Sequence, residues 1–138
     1  MKMFFATAFF IFTMNYVHAS DEVLVPFHRL PGKEMGHAIV LAVKINSSIQ
    51  ARFVLDTGIG ISLISESFCT KISCKISGQF SAKRMSGQKI ILPLSSLSSA
   101  QLGPLERKSL EVGVLDMGGY PAEFNDIADF LSLNFFKT

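Results

Sequence analysis

The chain has 138 residues, with thirteen Lys and Arg against eleven Asp and Glu, two cysteines and no tryptophan. That length suits a single domain, and no segment repeats at a solenoid period. The near balance of charge argues against nucleic acid or any other polyanion as a partner.

The N-terminus differs from everything after it. Met1-Lys2 gives a short basic start, Met3 to Met14 is almost continuously apolar, and Val17-His18-Ala19 offers small residues at cleavage positions. This pattern predicts a secretory signal peptide over residues 1–19, leaving residues 20–138 as an exported domain, periplasmic or secreted. The apolar run is shorter than the about 20 residues a spanning helix needs, which favours a cleaved signal over an uncleaved N-terminal anchor; no other segment is a membrane candidate, so no membrane association is expected after cleavage. Loss of Lys2 would leave twelve basic residues against eleven acidic ones. Cys69 and Cys74 both fall in the exported part, where an oxidising compartment permits a disulfide. The histidines at 18, 28 and 37 are scattered and the cysteines few, so no metal site is expected.

Ser20 to Gly36 is polar and broken by Pro26 and Pro31, which predicts an irregular or edge segment. Ala38 to Ile45 is short and rich in aliphatic and β-branched residues, as a strand should be, and Asn46-Ser47-Ser48 reads as a turn. From Ile49 the pattern alternates: Ile49, Ala51, Phe53 and Leu55 face one way, and Gln50, Arg52 and Val54 the other. These two runs predict a β-hairpin whose second strand delivers the chain to Asp56. Gly58 and Gly60 then allow a tight turn, with freedom at positive φ and close backbone approach.

Ile61 to Ile64 resumes apolar character. Ser65-Glu66 reads as the start of a short helix, with Glu66 in its first turn and Lys71 near its last. Gly78 to Gly87 is polar and predicts a loop, Lys89 to Leu94 a strand interrupted by Pro93, and Ser95 to Ser99 another loop. Leu110 to Met117 alternates as a strand does, and Gly118 to Pro121 reads as a turn. Ile127 to Phe136 predicts a short strand with a turn of helix after it. The sum is a mostly β domain with one short helix.

Asp56 raises the chemical question. A carboxylate at the end of an apolar strand must be protonated, paired or wet, because an isolated buried charge is costly. Asp56-Thr57-Gly58 alone also reads as an ordinary strand-ending turn, since Asp and Gly are common turn residues. Its context is an apolar strand before it, a glycine-containing turn and a second apolar strand after it, all in an exported β-rich chain.

With that context FVLDTGIGISLIS resembles the retropepsin-like aspartic protease family, most of all its small bacterial members. MSGQKIILPL, VGVLDM and IADFLSLNFF extend the resemblance from about Val25 to the end of the chain. The resemblance implies a single-lobe acid protease fold in which Asp56, Thr57 and Gly58 are catalytic. It also implies a flap carrying Ser86, Gly87 and Gln88, and a strand behind the catalytic loop formed by Phe130, Leu131 and Ser132. No cofactor is implied, and Cys69 and Cys74 are a possible local disulfide.

The expected activity is endopeptidase cleavage of a peptide or protein substrate by two aspartates that share one proton. No second Asp-Thr-Gly or Asp-Ser-Gly occurs, and Asp116-Met117-Gly118 is the nearest imitation. A homodimer, with one Asp56 from each copy, is therefore expected. The chain departs from the family pattern with Ile59 where Ala or Ser is usual and Ser132 where Gly is usual. It also stops at Thr138, where relatives commonly continue with another strand, which leaves an incomplete or degenerate copy as an alternative. The rival reading is an exported binding or scaffold protein that keeps the fold without activity.

Overall fold

The computed structural model describes residues 22–30, 37–83, 86–116, 118, 127 and 129–137. The signal peptide expected over residues 1–19 lies outside the described residues. The described chain is mostly β with one short α-helix, as its patterning predicts. In order it forms β1 (Phe27–Arg29), β2 (Ile39–Ile45), β3 (Ile49–Leu55), β4 (Ser62–Ser65), α1 (Glu66–Lys71), β5 (Ile76–Lys83), β6 (Lys89–Leu102), β7 (Leu105–Leu115) and β8 (Asp129–Leu131). A 3-10 turn over Leu133–Phe135 follows β8.

The strands form one sheet in the order β1-β2-β3-β8-β4-β7-β6-β5. An extra pairing of Lys44 with Gln101 and Ile45 with Ala100 joins β2 to β6 and curls the sheet on itself. That curl gives the sheet an inside. Phe53, Ile64, Leu97, Val112 and Leu131 bury there with Phe68 from α1, and the Phe53 and Phe68 rings meet edge to face at 6.5 Å. A second cluster of Leu30, Val40, Val54, Ile127 and Phe130 covers the opposite face of the central strands.

The β2–β3 hairpin forms in the predicted place, with Ile45 opposite Ile49 and the intervening Asn46 and Ser47 at positive φ. Its second strand does not alternate cleanly, because Val54 on the supposedly outer face is buried by the second cluster. β1 is the edge strand expected before the first core strand. Ser65 caps α1, its Oγ accepting from the Phe68 N–H at 3.1 Å, and Cys69 is joined to Cys74 just beyond the helix.

Two loop expectations and one expected strand break are corrected. Gly78 to Lys83 belongs to β5, because its alternating half-buried residues pair along β6. Ser95 to Ser99 is the middle of β6, where Ser95 and Ser99 are buried and polar composition conceals the pleat. Pro93 does not interrupt that strand: β7 pairs with β6 only from Leu94 onward, so Pro93 has a neighbouring strand on one side and its missing N–H is tolerated.

Candidate active site

Asp56 follows the last residue of β3 and lies in the middle of the sheet. β8 runs parallel beside β3, with Leu55 level with Leu131. The Asp56 N–H donates to the Leu131 carbonyl at 2.9 Å, extending that ladder by one residue. The side chain then closes a tight turn, since Oδ1 accepts from the Gly58 N–H at 2.8 Å. Asp56 is half-buried, and among the described residues its carboxylate makes no other hydrogen bond. One carboxylate oxygen is thus used to hold the loop and the other is open to chemistry.

Gly58 serves close approach alone. A Cβ there would stand 3.2 Å from Asp56 Oδ1, and the residue is not at positive φ. Gly60 has no atom within 4 Å of a Cβ and no positive φ, so the conformational freedom expected at these glycines is not used. Thr57 is exposed, and its hydroxyl makes no hydrogen bond among the described residues.

Beneath the loop lies a polar network that pattern reading missed. Asn134 Oδ1 accepts from both the N–H and the hydroxyl of Ser62, at 2.9 and 2.6 Å, while its Nδ2 donates to the Glu111 carbonyl at 2.9 Å. One side chain thereby ties the start of β4, the 3-10 turn and β7. The Ser132 N–H donates to Ser62 Oγ at 2.9 Å, and the Ser132 hydroxyl donates to the Ile59 carbonyl. The only sequence signals were a serine inside the apolar run ISLIS and an asparagine inside FLSLNFF.

Phe130 enters the second cluster, Leu131 the main core, and Ser132 is wholly buried. The two departures from the family pattern touch each other, as Ser132 bonds the carbonyl of Ile59. The Ile59 side chain packs against the second cluster. Ser86, Gly87 and Gln88 are exposed between β5 and β6, at the tip of a long hairpin with Gly87 at positive φ.

Asp116-Met117-Gly118 is not a second half of this site. β3 and β7 run in opposite directions through their pairings with β8 and β4, and Ser65 is level with Leu115. Asp56 and Asp116 therefore leave opposite ends of the sheet, on the order of 20 Å apart along it by strand spacing and rise. Among the described residues no cluster of His, Cys, Asp and Glu could hold a metal ion.

The family model described as aspartyl protease matches residues 41–125, a span that includes the Asp56 turn and the hairpin of β5 and β6. No curated protein matches the chain. Among solved structures, a retropepsin-like aspartic protease from Rickettsia conorii superposes with a TM-score of 0.50 at 15% identity, over 71% of this chain and 68% of that one. The likeness in structure shows a retropepsin-like fold, and the family match covers more than half of the sequence. The chain belongs to the aspartyl protease family.

Proposed function

We propose that the protein is an exported aspartic endopeptidase that works as a homodimer, each copy supplying one Asp56. The observation that carries this reading is the Asp56 carboxylate itself, half-buried on a rigid central strand with one oxygen engaged by Gly58 and the other unengaged. A lone carboxylate is a poor activator of water, and this chain's other Asp-x-Gly turn stands at the far end of the sheet. A second copy is the source of the partner carboxylate in this reading. The exposed Thr57 hydroxyl beside Asp56 is available to such a copy.

Two carboxylates brought together cannot both ionise and share one proton. The ionised one takes a proton from water as the water oxygen bonds to the scissile carbonyl carbon. The protonated one gives its proton to the carbonyl oxygen. The roles then reverse: the newly ionised aspartate takes a proton from a diol hydroxyl, the C–N bond breaks as the carbonyl re-forms, and the newly protonated aspartate gives its proton to the departing nitrogen. Both steps need the aspartates held still, which β3, β8 and the Asn134 network support.

The test is cleavage of a mixed peptide library from acidic to neutral pH by the purified protein and by Asp56→Asn, with the molecular mass measured in solution. Cleavage by a dimer that Asp56→Asn abolishes is the expected result. An active monomer overturns the paired mechanism. Folded protein that cleaves nothing favours the binding or scaffold reading.

A further inference from the structure

We infer that Ser132 is a positioning residue of the catalytic loop, its hydroxyl fixing the backbone just past Asp56 through the Ile59 carbonyl. The inference rests on the reading of Asp56 as catalytic. The dipeptide Leu131-Ser132 touches the loop at three places. The Leu131 carbonyl receives the Asp56 N–H at the entry, the Ser132 hydroxyl reaches Ile59 within, and the Ser132 N–H reaches Ser62 Oγ at the exit. Among the described residues, the Ser132 hydroxyl makes the one hydrogen bond that ties the backbone of residues 57–60 to the rest of the fold.

Neither glycine of this loop has a side chain to anchor it, and Thr57 and Gly60 are exposed. Ile59 is the exception, half-buried against the second cluster. Among the described residues the loop is therefore held at Ile59, by one polar contact at its carbonyl and one apolar contact at its side chain. Ser132 can act as a fixed post because it is wholly buried and its own N–H is engaged by Ser62, which Asn134 holds in turn. Without the hydroxyl, the Gly58 N–H that orients Asp56 Oδ1 would ride on a loop with no polar tether.

The test compares the unmodified protein with Ser132→Ala by steady-state peptide cleavage and by amide hydrogen exchange over residues 57–60. Loss of one neutral hydrogen bond that sets catalytic geometry should lower kcat roughly five- to tenfold with KM within about twofold. Exchange in the loop should rise by a similar roughly five- to tenfold factor. Ser132→Gly, which removes the hydroxyl with less bulk, should behave alike and serves if the alanine variant folds poorly. A lower melting temperature with kcat and loop exchange unchanged would mean an ordinary buried serine and overturns the inference. Absence of cleavage by the unmodified protein overturns the functional reading instead. Exchange alone then decides whether Ser132 holds the loop.

Discussion

The chain makes an Asp-x-Gly turn twice, and locally the two are the same: Gly58 N–H donates to Asp56 Oδ1 and Gly118 N–H to Asp116 Oδ1, each at 2.8 Å. Each glycine is close-packed on its aspartate, since a Cβ would come within 3.2 Å of Oδ1 in the first turn and 3.0 Å in the second. Their surroundings differ. Asp56 leaves a strand flanked by β2 and β8, its N–H is taken by Leu131, and the loop after it is tethered by Ser132. Asp116 leaves β7 at the opposite end of the sheet and is exposed. The turn is a local device that any strand end can adopt, and what makes one of them a candidate site is the packed sheet behind it.

The sharpest way to break the comparison is to neutralise each aspartate. Asp56→Asn should lower kcat/KM by about a thousandfold or more, since it removes a reacting group, whereas Asp116→Asn should leave it within about twofold. Equal losses in peptide cleavage would show that the two turns share a function. Next in size is Asn134→Ala, which strands the Ser62 N–H and the Glu111 carbonyl beneath the Asp56 side of the sheet. Urea unfolding should show a loss of about 2 to 3 kcal/mol. Hydrogen exchange should loosen around β4 and leave the hairpin of β5 and β6 unchanged.

Replacing Cys69 and Cys74 together by serine opens a loop with a sequence separation of five. The chain-entropy model gives a cost of about 2 kcal/mol, read in the same unfolding experiment. Because neither sulfur lies on the Asp56 loop, cleavage per folded molecule should not change. The smallest stability effect is expected from Gly58→Ala and Gly118→Ala. Each crowds its own carboxylate and should cost about 1 kcal/mol or less. Activity separates them: Gly58→Ala displaces the Asp56 carboxylate and should lower kcat, while Gly118→Ala should not.

Much of this was legible in the sequence because it depended on neighbours. The hairpin ending at Leu55 follows from two aliphatic runs around Asn46-Ser47-Ser48, and α1 from a serine cap with Glu66 and Lys71 at suitable ends. The resemblance implies a strand of Phe130 and Leu131 next to the loop, and in the structure these residues pair in parallel with Val54 and Leu55. What escaped was polar sequence whose role is set across the sheet. Ser95 to Ser99 lies in a long strand because β7 pairs along it, with β5 reaching only Ser95, and the role of Asn134 is set by Ser62 and Glu111, far from it in the chain.

The sequence by itself determined the mostly β class, the short capped helix and the placing of an aspartate at the end of an apolar strand. Hydrophobic period, turn chemistry and capping act over a few residues and can be read in order. Tertiary structure alone decided that Val54 is buried, that Asp116 stands apart from Asp56, and that Ile59 and Ser132 meet. Each of these depends on strands brought side by side from distant parts of the chain, and register between such strands leaves no local signature.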